Sequence, residues 1–270
     1  MQADGTVFLF QGPATRIVTL SPHLTEIVFA AGAGDRLIAT VEYSNYPEAA
    51  NDIPRIGDAF RIDIERVVSL RPDLVIAWDS GNPRAAITQL RSLGVPIWSV
   101  EITAPVEIAE TLETIGELTE QHEEAQSQAM ELRQRLTDLT RNYEGEQLLD
   151  YFYQIGSAPL FTINGKHLIS RGLELCGGHN IFSDEPGLAF QVSHESVIVA
   201  DPDALFAPAQ DDAPNPLESW LEWPAMQAVG QQALYLLPAD PVSRATPRFL
   251  DSLELACKLL HQLREQEPNG

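Results

Sequence analysis

The sequence predicts an α/β protein of two Rossmann-like lobes that a single long α-helix joins. Three observations predict this fold class. Apolar strand-like runs alternate with helical stretches in both halves of the chain, a long stretch without internal proline separates the halves, and one ten-residue pattern occurs twice, 130 positions apart. A length of 270 residues agrees with about two domains.

The N-terminal α/β lobe is predicted to span residues 14–104. Its first helix begins at Ser21-Pro22, an N-cap followed by proline at the first helical position, and ends before Gly32. Apolar runs and their flanking turn residues predict four strands and two more helices, which alternate as in a parallel sheet. The strands are Arg16–Leu20, Leu37–Val41, Asp73–Trp78 and Pro96–Val100, and the further helices are Ile64–Leu70 and Pro83–Leu93.

A helical segment is predicted at residues 105–144, because this stretch is rich in Glu, Gln, Leu and Arg. A break around Thr119–Gln121 separates a short helix from a long one at about Glu123–Tyr143. The long helix has one apolar stripe of leucines but no sustained heptads. We therefore expect a rigid helix that joins the lobes, rather than a coiled-coil arm.

The C-terminal α/β lobe is predicted to span residues 145–266. Asn164-Gly165 is expected to form a hairpin turn. The predicted strands are Gln147–Ile155, Ala204–Ala207 and Ala233–Leu237, and the predicted helices are Gly172–Cys176 and Pro247–Leu263.

An internal repeat relates the two lobes. Glu65–Leu74 aligns with Glu195–Ala204 at a constant offset of 130 positions, and Glu, Val, Pro and Asp coincide. In both copies a helix ends before proline, which disfavours helical geometry in the residue ahead of it. The pattern is short enough for a chance match, but the matching contexts favour two related lobes.

The net charge of the chain argues against two classes of binding partner. With 17 Lys and Arg against 39 Asp and Glu, the net charge of −22 disfavours binding to nucleic-acid phosphates and to anionic membranes. No apolar run approaches the roughly 18 residues that span a bilayer, so we expect a soluble chain without membrane insertion. Neither Val7–Phe10 nor Ile27–Ala31 follows a basic segment, so no signal peptide is predicted, and a lipid anchor is left open.

No catalytic or metal-binding residue is predicted. The chain lacks the HExxH, GxSxG and GxxxxGK[ST] motifs, and its six histidines are scattered. Cys176 and Cys257 are too far apart for a CxxC site. They are either two buried free thiols or one long-range disulfide.

Aromatic residues indicate a binding site instead. Open α/β sheets bind ligands at the carboxyl ends of their strands. Tyr43, Trp78 and the segment 240–244 follow predicted strands, and Phe60 and Phe190 precede the two repeat helices. If the lobes are symmetric, these groups converge on a cleft between them. Such aromatics favour a large flat organic ligand over a bare ion.

Six segments together resemble the periplasmic cobalamin-binding proteins of ABC importers, which are class III, helical-backbone substrate-binding proteins. The resemblance covers about residues 14–263 and implies a monomeric, non-enzymatic periplasmic receptor without a catalytic cofactor. Such a receptor binds cobalamin or a related corrinoid and delivers it to a permease dimer. The alternatives are a ferric-siderophore or haem receptor of the same fold and, from another class, an enzyme or metallochaperone. The segments are RIVTLSPHLTEIVFAAG, YSNYP, IERVVSLRPDLVIAW, LELCGGHNIF, QVSHESV and RATPRFL.

The resemblance also implies roles for individual residues. Glu65 and Glu195 match two surface glutamates that dock onto permease arginines, one per lobe, and Cys176 and Cys257 match a disulfide. The family pattern has tryptophans near Phe60 and Phe190 and a bulky aromatic at the position of Pro241, so this chain offers smaller apolar faces there. The residues implied to bind ligand are Tyr43, Phe60, Trp78, Phe190, Asp240, Pro241, Val242, Ser243 and Arg244.

Overall fold

The structure, a computed structural model, describes residues 12–210 and 213–266, so the apolar stretch Val7–Phe10 lies outside the described residues. The strands of the described chain are β1 Ile17–Thr19, β2 Leu37–Ala39, β3 Leu74–Trp78, β4 Ile97–Val100, β5 Leu149–Ser157, β6 Leu160–Ile163, β7 Gly178–Asn180, β8 Ala189–Gln191, β9 Ala204–Ala209 and β10 Leu234–Pro238. Its α-helices are α1 Pro22–Ala30, α2 Ile64–Leu70, α3 Arg84–Ser92, α4 Pro105–Thr119, α5 His122–Asn142, α6 Leu168–Glu174, α7 His194–Ala200, α8 Gln227–Gly230, α9 Ala239–Ser243 and α10 Phe249–Gln266.

The chain divides into two compact units. Unit 1 contains residues up to 102 and 106–133, and unit 2 contains residues 103–105 and those from 134 onward. The division falls within α5, which continues from one unit into the other. The helical segment predicted at 105–144 is therefore divided between the units. Its buried residues Ile108 and Leu112 belong to unit 1, and Leu139 belongs to unit 2.

Unit 1 contains the predicted parallel sheet. Its four strands lie in the order β2-β1-β3-β4, and every neighbouring pair is parallel. The apolar run from Leu74 to Ala77 is fully buried on β3, as expected for a parallel strand covered on both faces. The carboxyl ends of these strands therefore lie at one edge of the sheet.

Unit 2 contains a mixed sheet. Its strands lie in the order β10-β9-β5-β6-β8, with β7 also paired to β5. β7 and β9 run parallel to β5, but β6 runs antiparallel to β5 and β8 antiparallel to β6. The β5–β6 hairpin turns at Ala158-Pro159, so the hairpin predicted at Asn164-Gly165 was wrong, although a turn does occur there, in which the His167 N–H donates to the Asn164 carbonyl at 3.3 Å. Asn164 instead leads β6 into α6, and its Oδ1 accepts the N–H of Lys166 at 3.0 Å.

The internal repeat is present in the local geometry of both units. The repeat helices α2 and α7 each have seven residues. The Asp63 side chain accepts the N–H of Arg66 at 3.0 Å, and the Ser193 hydroxyl accepts the N–H of Ser196 at 3.1 Å. Each helix is thus capped by the side chain of the residue directly before it, which accepts the N–H three positions further along the chain.

Asp73 and Asp203, which coincide in the repeat, each accept backbone N–H groups where a strand begins. Asp73 accepts the N–H of Thr15 and of Arg16, both at 2.9 Å, and Asp203 Oδ2 accepts the N–H of Asp150 at 2.7 Å. Burial opposes ionisation of Asp73, but the hydrogen bonds from Arg16 and Thr15 outweigh it and hold the pKa of this carboxyl below its usual value.

Cys176 and Cys257 form a disulfide, with a Cα–Cα distance of 5.4 Å. The disulfide prediction is confirmed, and the alternative of two free thiols was wrong. The bond connects the turn after α6 to α10. Arg264 of α10 holds the same turn, because its guanidinium donates to the carbonyl oxygens of Cys176 at 2.8 Å and of Gly177 at 3.1 Å.

Candidate functional site

Trp78 is held from three sides at the carboxyl end of β3. Its indole Nε1 donates to Glu101 Oε1 at 3.4 Å, and its ring meets the His23 ring edge-on with centroids 5.3 Å apart. Gly81 contacts the indole, where a Cβ would lie 1.9 Å from Cε3. The second Glu101 oxygen accepts the N–H of Ser80 at 2.8 Å, so Glu101 fixes both the ring and the following loop.

Asn82 connects three segments around Trp78. Its Oδ1 accepts the N–H of Trp78 at 2.7 Å, and its Nδ2 donates to the carbonyls of Leu20 at 2.8 Å and Ala59 at 2.9 Å. Asn82 is buried, so these bonds replace water at a side chain that needs several partners. The end of β1, the end of β3 and the segment before Phe60 are thereby held together.

Tyr43 and Phe60 are exposed aromatics of unit 1. The side chain of Tyr43 is 77% exposed and that of Phe60 is 70% exposed. Phe60 lies in a turn in which Asp58 Oδ1 accepts its N–H at 2.7 Å. Large apolar surfaces left in water on a folded unit are typical of binding sites. The candidate site of unit 1 therefore consists of Tyr43, Phe60 and Trp78.

Phe190 differs from Phe60 in its surroundings, although the two occupy equivalent positions of the repeat. Phe190 is half-buried on β8 and meets Phe182 edge-on at 6.0 Å. Phe182 in turn meets Phe152, and Phe152 meets the fully buried Trp220. Phe190 is thus backed by the aromatic core of unit 2, because β8 pairs with β6, whereas Phe60 lies in an exposed turn.

The segment 240–244 follows β10 mainly as the short helix α9, not as an extended loop. Asp240 Oδ2 and Arg244 Nη2 form an ion pair at 2.9 Å, and the Arg244 side chain is only 11% exposed. Val242 is only 2% exposed, so the structure does not support a ligand contact through its side chain. Ser243 is exposed and Pro241 half-buried.

Glu65 and Glu195 are exposed side chains in the first turns of α2 and α7. A carboxylate at this place interacts favourably with the helix dipole. Each glutamate occupies the same position of its unit's repeat helix.

Sequence reasoning did not select His23, Asn82 or Glu101. His23 and Glu101 follow β1 and β4, as Trp78 ends β3, so position after a parallel strand was the available signal. Within residues 12–210 and 213–266 there is no group of three or more His, Cys, Asp or Glu side chains that could hold a metal ion. No helix of that same part of the chain combines the length and the apolar character needed to cross a membrane.

Comparison with known proteins identifies the family. The sequence profile of the family described as "Periplasmic binding protein" matches residues 17–241. The chain belongs to this family. It is 39% identical over 255 residues to the "Vitamin B12-binding protein" of Vibrio cholerae serotype O1, covering 94% of this chain and 92% of the relative.

Solved structures of periplasmic binding proteins agree in fold. The crystal structure of the periplasmic vitamin B12 binding protein BtuF of Vibrio cholerae matches with a TM-score of 0.88 at 39% identity, covering 94% of this chain and 99% of BtuF. The periplasmic heme binding protein HutB of Vibrio cholerae matches with a TM-score of 0.78 at 21% identity, covering 92% of this chain and 99% of HutB. The predicted α/β fold of class III periplasmic binding proteins is thus confirmed, and the HutB match supports the fold alone.

Proposed function

We propose that this chain is the substrate-binding protein of an ABC importer and that it binds cobalamin or a related corrinoid. The observation that carries the proposal is that unit 1 exposes two aromatic residues, Tyr43 and Phe60, and fixes the indole of Trp78 at the carboxyl end of β3. The 39% identity to a vitamin B12-binding protein across nearly the whole chain supports the same ligand class.

The chemistry of the residues suits a corrinoid. A corrin is a large, nearly flat macrocycle with apolar faces and amide side chains at its edge. Tyr43, Phe60 and Trp78 in unit 1 and Phe190 in unit 2 would cover apolar surface. Asp240 and Ser243 of α9 would accept and donate hydrogen bonds to amides.

Haem or a ferric siderophore is the alternative ligand class for this fold. An anionic siderophore complex needs cationic side chains in its site. Arg244 is already ion-paired with Asp240, so this part of unit 2 has balanced charge. We therefore favour the uncharged amide-bearing macrocycle over the anionic complexes.

Calorimetric titration with cyanocobalamin tests the ligand. We expect a Kd of about 1 μM or tighter, and we expect Tyr43→Ala and Trp78→Ala to weaken binding at least tenfold. Met130→Ala is the matched control, because Met130 is also an exposed apolar side chain but lies on α5. If no corrinoid binds below about 1 mM while hemin or a ferric hydroxamate does, the proposal is wrong.

Glu65 and Glu195 would dock the loaded protein onto two permease subunits in the periplasm. Their support is their exposure and their equivalent positions on two related helices. Two acids at equivalent positions suit a permease dimer that presents one cationic group per subunit. The role would be delivery by a monomeric carrier, with no chemical conversion of the ligand and no catalytic cofactor.

Charge reversal separates docking from binding. We expect Glu65→Lys with Glu195→Lys to abolish corrinoid uptake by the reconstituted importer and to leave the Kd for cyanocobalamin within about twofold, since neither residue belongs to the aromatic site. Glu123→Lys is the matched control, because Glu123 is an exposed acid in the first turn of α5. Unimpaired uptake by the double variant would contradict docking through these glutamates.

A further inference from the structure

A cluster of four buried hydroxyls lies beneath the loop that carries Tyr43. The hydroxyl cluster consists of Thr19 of β1, Thr25 of α1, Thr40, which directly follows β2, and Ser44, four residues further on. All four residues are 0% exposed. The Thr19 hydroxyl lies 2.7 Å from that of Thr25 and 2.9 Å from that of Thr40. Thr25 and Thr40 lie 2.5 Å apart, and Ser44 lies 3.1 Å from Thr25 and 2.9 Å from Thr40.

The hydroxyl cluster fixes the positions of its residues through hydrogen bonds, which apolar side chains would not form. Val has nearly the shape of Thr, so packing alone does not require these hydroxyls. A network of short hydrogen bonds fixes the relative positions of its members, and here it fixes Ser44 against Thr25 of α1 and Thr40, which directly follows β2. Ser44 directly follows Tyr43 in the chain.

The backbone on both sides of Tyr43 is held in place. The Ser44 carbonyl accepts Nη2 of Arg55 at 2.7 Å, and its hydroxyl belongs to the cluster. On the other side, the N–H of Glu42 donates to the Gly57 carbonyl at 2.8 Å. Tyr43 therefore lies between two anchored residues.

Tyr43 has a φ of 65°, in the left-handed region that bulky residues rarely adopt. Such a conformation persists only where the surrounding structure over-determines it, and it occurs often at ligand sites. In this conformation Tyr43 is 77% exposed. The anchors and the backbone conformation together account for an aromatic ring presented to solvent in the free protein.

We propose that the hydroxyl cluster is a positioning device for ligand recognition: it holds Tyr43 in its left-handed, solvent-facing conformation before the ligand arrives. This inference rests on the proposed binding of a corrinoid. A receptor whose competent conformation is already populated binds without first ordering the loop, whereas a receptor in which it is populated one-tenth of the time binds about tenfold more weakly.

A double-mutant cycle with cyanocobalamin as the probe tests the inference. We expect Thr40→Val to raise the Kd about tenfold in the wild-type background and by less than about twofold in the Tyr43→Ala background, because the hydroxyl then has no tyrosine to position. Thr40→Ser restores a hydroxyl and should recover most of the lost affinity. Thr119→Val is the matched control, because it removes another fully buried threonine hydroxyl of unit 1, on α4.

A measurement without ligand separates this inference from the proposed function. Hydrogen exchange of the peptide that contains Tyr43 should accelerate in Thr40→Val and not in Thr119→Val. An equal loss of affinity in both backgrounds, an unchanged Kd, or unchanged exchange would overturn the positioning role. Failure of the wild-type protein to bind any corrinoid would instead overturn the proposed function, and accelerated exchange would then still support control of the Tyr43 loop by the cluster. If Thr40→Val does not fold, Ser44→Ala replaces it in the same cycle.

Discussion

Arg71 and Asp201 end the equivalent helices α2 and α7 in the same left-handed conformation, with φ of 47° and 46°. Their N–H groups both donate at 3.1 Å but to different turns: that of Arg71 to the Val68 carbonyl three residues earlier, and that of Asp201 to the Val197 carbonyl four residues earlier. Proline follows each of them and disfavours continuation of the helix. The repeat therefore preserves the left-handed helix end before proline, even though the side chains and the hydrogen bonds there differ.

Arg71→Gly should stabilise the protein, and Asp201→Gly should not. Glycine removes the steric cost of the left-handed conformation, and we expect a gain of about 0.5–1 kcal/mol at Arg71, whose side chain is exposed. Asp201 Oδ1 also accepts the N–H of Gln227 at 2.8 Å, at the start of α8, and glycine would remove that bond. Urea unfolding measures both changes; equal effects would contradict the distinction.

Gly81→Ala should weaken corrinoid binding without unfolding unit 1. An added Cβ would lie 1.9 Å from the Trp78 ring, so the indole must leave its position beside Glu101 and His23. We expect a roughly tenfold rise in Kd for cyanocobalamin, on the order of 1.4 kcal/mol. Gly230→Ala is the control, because the nearest atom to its Cβ would be 3.9 Å away. Unchanged affinity would show that the position of Trp78 does not matter.

His167 should make stability depend on pH between 6.5 and 4. Burial lowers its pKa from 6.5 to about 4, and its Nδ1 accepts the N–H of Ile169 at 3.2 Å as the cap of α6. As the pH falls below 6.5 the unfolded chain binds a proton that the folded protein does not. The free energy of unfolding is thus highest above pH 6.5 and decreases by about 3 kcal/mol in total as the pH falls from 6.5 to 4.

His167→Asn tests that pH dependence, since asparagine also caps a helix but does not titrate. The free energy of unfolding, measured between pH 4 and 7, should lose most of its slope in this window. Ser193→Asn, which replaces one N-cap of α7 by another and changes no titratable group, is the control and should leave the slope unchanged. An unaltered slope in His167→Asn would contradict the assignment.

The Cys176→Ala/Cys257→Ala variant should be less stable by about 3–4 kcal/mol, because the disulfide closes a loop with a sequence separation of 81. Guanidinium unfolding with and without dithiothreitol measures this. Reductant should lower the stability of the wild-type protein to that of the variant and leave the variant unchanged. A variant as stable as the oxidised wild type would contradict the expected contribution.

The candidate site was predictable where a residue type carried its own signal. Tyr43, Phe60 and Trp78 are aromatics after or between predicted elements, so sequence selected them. Glu101 and Asn82 carry no such signal, because one more acid among 39 and one asparagine are ordinary in sequence. Their importance arises from partners up to 62 positions away in the chain, such as Leu20 for Asn82.

The amino-acid pattern by itself determined the strands and α-helices of the first 102 residues, the repeat and the break before α5, since these depend on local periodicity, caps and proline. Long-range pairing decided the rest. The antiparallel β5–β6–β8 ladder gave Phe190 an aromatic backing that Phe60 lacks, and packing of α9 buried Val242 and paired Asp240 with Arg244. Local sequence specifies a conformation over a few residues, whereas strand partners and burial depend on segments far apart in the chain, and their free energies override local preference.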